Sequence, residues 1–321
     1  MKQKKSFATL SRALICALAI GALMLTSTAM AETAAPAEVQ GTAKVAKEVK
    51  KSTNDEAGKQ RGTIIKEAVA ALAQTKNAII ALEKKDKQAA LDALAMVTGK
   101  LDIVIAREPD MANAPIDVRV ETYDLISSVD TVKKAVKTAQ DLLDDGEVQL
   151  AREILIGLVD EIDLIVTSIP LASYSAGIKA VAKLVDEEKY EEAQEAIYEL
   201  LSTLVVTRNV IPLPILRAEE LLKKADELAA KENRTAEENK QLAALLADTR
   251  SQLEMAEVLG YGDKKQYKEF YSQIKEIEKK TEGGKFGKGF MDKLKTSLAD
   301  FKAKIFGDSA TGKKTDKTDK K

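Results

Sequence analysis

The chain of 321 residues contains no histidine and no tryptophan, and its single cysteine is Cys16. The absence of imidazole excludes His-based catalytic triads and the His and Cys ligand sets of zinc proteins. It also leaves no side chain that ordinarily titrates near neutrality, so any acid response must come mainly from carboxylates. Aromatic residues make up only 4% of the chain, so a core must be built from Leu, Ile, Val and Ala. A charge excess is missing too: 50 Lys and Arg stand against 51 Asp and Glu. That balance argues against a general nucleic-acid binder, which needs a basic excess or a basic face.

The N-terminal segment reads as a secretory signal peptide. Lys2, Lys4, Lys5 and Arg12 form its positive region and Ala13 to Leu25 its apolar run. Ala29-Met30-Ala31 supplies the small residues of a cleavage site. Cleavage is expected between Ala31 and Glu32, with export out of the cytoplasm. The apolar run is short for a membrane span, and Cys16 lacks the small residues that precede a lipidation site. Residues 1–31 hold four bases and no acids, so cleavage leaves 46 bases against 51 acids, a net charge of −5, and no thiol. Disulfides and thiol nucleophiles are then excluded.

Residues 32–56, rich in Ala, Thr, Lys and Glu, read as a flexible linker. From Ile64 the apolar residues recur at helical spacing, as in Ile64, Ala68, Ala71, Leu72, Ile79 and Leu82. Comparing the chain with itself reveals a repeat. A shift of 61 residues carries Leu82, Ala90, Leu94, Asp102 and Pro109 onto Leu143, Ala151, Leu155, Asp163 and Pro170; a further shift of 42 reaches Val185, Ala193, Ile197, Val205 and Pro212. Each copy reads as helix, tight polar turn, helix and terminating proline, with turns at 84–87, 144–147 and 186–189. Such hairpins must stack to bury their apolar faces. The expected fold class is all-α, an irregular bundle of stacked antiparallel helical hairpins. A fourth helical pair follows to about Leu259, its second helix opening on a capping box, Thr235 to Glu238. Residues 57–262 are expected to form the helical domain, 263–306 a C-terminal helical extension, and 307–321 a disordered polar tail.

Several motifs reduce to ordinary structure. Gly307 and Gly312-Lys313 have phosphate-loop spacing but lack the Ser or Thr, the preceding strand and the following helix. Asp141, Asp145 and Gly146 mimic a calcium loop, yet Leu143 and Arg152 fill ligand positions. Ser272 to Lys275 has the S-x-x-K pattern without its companion elements. No metal or cofactor is expected. Asp102 and Asp163 sit inside apolar runs read as helix ends, where each carboxylate could line a pocket or pair with Arg107 or Arg152. Residues 285–306 form a basic amphipathic segment, with six Lys against Asp292 and Asp300. It suits either a helix docked on an acidic bundle or one lying on anionic lipid.

Four ordered motifs resemble the YfdX family. They are Thr98-Gly99-Lys100-Leu101-Asp102-Ile103-Val104, the Ala151-Arg152 pair after the Gly146 turn, Ile169-Pro170-Leu171-Ala172-Ser173-Tyr174, and Ile211-Pro212-Leu213-Pro214 with Arg217-Ala218. The resemblance spans roughly residues 62–262; Ser175 stands where the family pattern has Pro. It implies an all-helical periplasmic protein of Gram-negative bacteria, linked with acid and envelope stress, oligomeric and chaperone-like, with no established catalytic set. The expected function is therefore a non-enzymatic stress protein that binds client polypeptides or small molecules. The alternatives are a carboxylate-based hydrolase of cell-wall glycans, whose chemistry needs no His or Cys, and a membrane-surface adaptor acting through 285–306. Candidate ligand-binding residues are Asp102, Arg107, Asp163, Tyr174 and Arg208; the expected partners are periplasmic clients and further copies of the chain, not nucleic acid.

Overall fold

The computed structural model describes residues 37–311, so the leader, its cleavage point at Ala31 and Glu32, and residues 312–321 lie outside the described part. Helices dominate, in the order α1 (Ala37–Gly62), α2 (Lys66–Glu83), α3 (Lys87–Arg107), α4 (Val129–Asp144), α5 (Val148–Ile156), α6 (Leu171–Asp186), α7 (Tyr190–Ser202), α8 (Leu213–Ala229), α9 (Ala236–Val258), α10 (Lys264–Thr281) and α11 (Asp292–Thr311). The hairpins α2–α3, α4–α5 and α6–α7 turn where the self-comparison places the polar turns. Lys85, Gly146 and Glu188 take positive φ within those turns.

The all-α class holds, and within it the reading of the helix ends needs one correction. Each hairpin is followed by a strand, β1 (Asn113–Tyr123), β2 (Glu161–Pro170) and β3 (Val205–Pro212). They form an antiparallel sheet in the order β1-β2-β3, with a register shift between Pro115 and Asp117. The run Ile162 to Val166, read as a helix end, is therefore strand, whereas its repeat partner Leu101 to Ile105 is the last part of α3. Short runs rich in β-branched residues suit either state, and the surroundings decide. α3 continues unbroken for 21 residues, while α5 stops after nine at Gly157.

A second correction concerns residues 32–56. From Ala37 this stretch belongs to α1 rather than to a linker. Val45, Val49 and Ala57, four and eight positions apart, lie on one helical face and are buried with Ile162 and Leu164 of the sheet. The C-terminal extension is likewise part of the core. Met291, Leu294, Leu298 and Phe301 are buried, and Phe301 meets Tyr267 and Phe270 edge to face at ring separations of 5.5 and 5.4 Å. The backbone of α11 reaches Thr311, into the stretch expected to be a disordered tail. Lys302 pairs with Glu219 of α8 at 2.7 Å, and Lys295 with Asp226.

Two apolar clusters result. One joins α2, α3, α6 and α7 beneath the start of the sheet; the other joins α1, α8, α9, α10 and α11 to Ile162, Leu164 and Ile211. Antiparallel alternation leaves the opposite sheet face in contact with solvent. Asp117, Arg119, Tyr123, Val206 and Arg208 are exposed there.

Candidate functional site

The outer sheet face is organised by register. Arg119, Ile165 and Arg208 form one cross-strand row, Glu121, Asp163 and Val210 the next, and Tyr123, Glu161 and Pro212 the third. Glu161 and Asp163 are two residues apart on β2, so both carboxylates project to the same face. Both are almost fully buried. Arg208 bridges them diagonally, donating from Nε to Asp163 Oδ2 at 2.6 Å and from Nη2 to Glu161 Oε1 at 2.5 Å. The Asp163 hydrogen bond raises the Arg208 pKa above its already high value, so the guanidinium stays charged. Asp163 Oδ1 is buried without a hydrogen-bond partner among the described residues. Tyr123 donates to Glu121 at 2.9 Å, and that bond raises the phenol pKa.

A second network fixes the end of the sheet. Asp160 is fully buried and accepts from Arg217 Nη1 at 2.7 Å and from the Leu125 amide at 3.3 Å. Arg217 also holds Asp124 at 2.7 Å. The Asp160 amide donates to the Tyr261 hydroxyl at 3.1 Å. Burial raises the Asp160 carboxyl pKa, against the lowering effect of Arg217. Burial likewise pushes the Tyr261 phenol far up, aided by its hydrogen bond to Glu161.

Of the candidate residues, Asp163 and Arg208 come together; the other three have different partners. Arg107 pairs with Glu67 of α2 at 2.8 Å. Asp102, half exposed, lies 3.8 Å from Lys179 and accepts from Ser175 Oγ at 3.4 Å. Tyr174 is fully buried, its hydroxyl donating to Thr75 at 3.2 Å inside the hairpin core. Glu161, Asp160, Asp124 and Tyr261 were not foreseen. The signal for Glu161 was present in the strict alternation of Glu161, Ile162, Asp163 and Leu164, a period-2 pattern inside a sequence otherwise read at helical period.

The model of the YfdX family, described as YfdX protein, matches residues 71–210, from the middle of α2 nearly to the end of β3. Residues 71–210 are a YfdX region. The matched span holds all three strands but for the last residues of β3, together with Glu161, Asp163 and Arg208; Arg217, Tyr261 and the C-terminal helices lie outside it. Among solved structures, Salmonella Typhi YfdX is similar at 16% identity, covering 47% of this chain and 93% of that one with a TM-score of 0.33. No curated protein matches the chain.

Proposed function

We propose that this YfdX-region protein is a non-enzymatic periplasmic stress protein that binds client polypeptides or small molecules on the outer face of its sheet. The observation that carries this reading is the composition of that face. Tyr123 and Val206, 43% and 60% exposed, stand towards opposite ends of the face with half-buried Ile165 between them, and Glu161 and Asp163 are locked in place by Arg208. Fixed polar groups between apolar side chains suit a binding surface that is already shaped before its ligand arrives. Export rests on the signal-peptide pattern, and Glu32 as the N-terminal residue of protein recovered from periplasm checks it.

The test is suppression of client aggregation after acid stress. Tyr123→Ala combined with Val206→Glu should lower protection about tenfold in effective concentration, with helicity unchanged. Met96→Glu, at another exposed apolar position, should leave it intact. Equal protection by both variants overturns the proposal. The glycan-hydrolase alternative draws on the buried carboxylates; on that view Asp163→Asn abolishes turnover of cell-wall glycan, and on ours no turnover exists to lose. The lipid-adaptor alternative has less support, because the apolar stripe it needs is buried in the core.

A further inference from the structure

Strand register sets two like charges against each other on the outer sheet face. Glu121 of β1 and Asp163 of β2 are direct cross-strand partners, which places their Cβ atoms about 5 Å apart. Carboxylates so placed repel unless a cation stands between them. The neighbouring guanidiniums do not fill that role. Arg208 gives its Nε to Asp163 Oδ2 and its Nη2 to Glu161, Arg217 holds Asp160 and Asp124, and Arg119, one row away and exposed, pairs with none of the three carboxylates.

Unused acceptors indicate what is missing. Asp163 is 2% exposed, yet its Oδ1 is buried with no hydrogen-bond partner among the described residues. A buried carboxylate oxygen is rarely left so, because its lost hydration is then unrecovered. Half-buried Glu121 accepts from Tyr123 at 2.9 Å, and a carboxylate can accept several such bonds. The Tyr123 hydroxyl oxygen can itself accept, and the Asp163 charge is among the causes that raise its pKa, so the phenol stands within electrostatic reach of both carboxylates. Glu161, by contrast, is satisfied by Arg208 and Tyr261. A primary ammonium has three N–H donors, no acceptor and a compact charge, which suits these three acceptors. A divalent metal ion asks for about six or more oxygens, and among the described residues no three acidic side chains are grouped to hold one.

Taking the outer face as the binding surface proposed above, we infer that Asp163, Glu121 and Tyr123 form a receptor for a primary ammonium group, carried by a small amine or by a lysine side chain of a bound polypeptide. The group reaches Asp163 Oδ1 by a sideways turn of Tyr123, which is 43% exposed. Calorimetric titration of the purified protein with n-butylammonium chloride should show binding, and tetramethylammonium, equally charged but without N–H donors, should bind about tenfold more weakly or not at all. Asp163→Asn and Glu121→Gln should each lower n-butylammonium affinity about tenfold, while Asp102→Asn, on α3, should not. Glu121 is only half-buried, so its variant decides the matter if circular dichroism shows that Asp163→Asn unfolds. A blocked lysine peptide separates the two sources: binding tighter than n-butylammonium and lost on lysine acetylation assigns the site to polypeptide lysines, and weaker binding assigns it to small amines. Absence of n-butylammonium binding, binding no tighter than that of tetramethylammonium, or indifference to both carboxylate variants overturns the inference. Calcium chloride binding that depends on Asp163 also overturns it, because the site is then a metal site. Client protection is read separately. Protection lost in the Tyr123 and Val206 variant without any ammonium binding leaves the binding face standing and removes the amine, whereas ammonium binding with protection unchanged in that variant does the reverse.

Discussion

Asp160 is the residue at which the approach to α4, the sheet and α8 converge. Its carboxylate holds Arg217 and the Leu125 amide, its own amide reaches Tyr261, and its carbonyl accepts from the Leu213 amide at 2.9 Å. Removing one partner of a buried ion pair leaves an uncompensated charge, which costs about 3–5 kcal/mol. Arg217→Ala is therefore expected to lower unfolding free energy by roughly 3 kcal/mol in urea melts, somewhat tempered because Arg217 keeps 21% of its side chain exposed. Replacing both partners with apolar residues, Asp160→Leu and Arg217→Met, should recover most of that loss, since the cost lies in the orphaned charge. A single variant within about 0.5 kcal/mol of wild type would show that water supplies the missing partner. The Asp163 and Arg208 pair differs in kind: Arg208 is half exposed, so its outer edge stays available to a ligand.

At the scale of elements, the contact between the α9–α10 turn and α11 provides the sharpest test. Gly262 has φ +84°, and a Cβ there would stand 2.4 Å from the Phe301 ring; Gly260 has the same φ with nothing within 4 Å. Gly260→Ala should cost only the left-handed conformation, about 1 kcal/mol. Gly262→Ala should cost a further 1–3 kcal/mol for overpacking. Equal losses in chemical denaturation would mean that α11 does not seat on this turn. The same elements show what a sequence reveals about this fold. The hairpins were legible because polar turns and small residues such as Ala90, Ala151 and Ala193 recur at matching places. The strands were not, because Leu101 to Ile105 and Ile162 to Val166 have nearly the same composition and only the length of the preceding helix separates them. α1 escaped notice because the residues it buries among those described, Val45, Val49 and Ala57, are small and stand among Lys, Thr and Glu. Asp163 and Arg208 could be named singly as candidates; their meeting depends on strand register, which links residues 45 apart. Tyr261 joins the site from 101 residues beyond Asp160, a distance that no local pattern spans.

For the molecule as a whole, the same accounting of charges sets the response to acid. Glu67, Glu238 and Glu276 have lowered pKa values, chiefly through hydrogen bonds from Arg107, Lys231 and Lys280. A carboxylate whose folded pKa lies below its unfolded value stabilises the fold above the unfolded pKa, and that contribution disappears as pH falls through the folded one. Asp160 acts with the opposite sign. Its raised pKa means that the folded state binds the proton more tightly, so protonation relieves a cost in the range just above ordinary carboxylate values. With no imidazole in the chain, no side chain ordinarily titrates between about pH 5.5 and 8. The thermal midpoint is thus expected to be flat across that interval and to fall below about pH 4.5, where the exposed ion pairs are lost and the chain becomes strongly positive. Exposed pairs are individually weak, so repulsion among the remaining Lys and Arg should dominate, and added salt should restore part of the lost stability by screening it. A midpoint that falls between pH 8 and 5.5, or a loss at pH 4 that salt leaves unchanged, would place the acid response in a buried group rather than in the charge of the whole molecule.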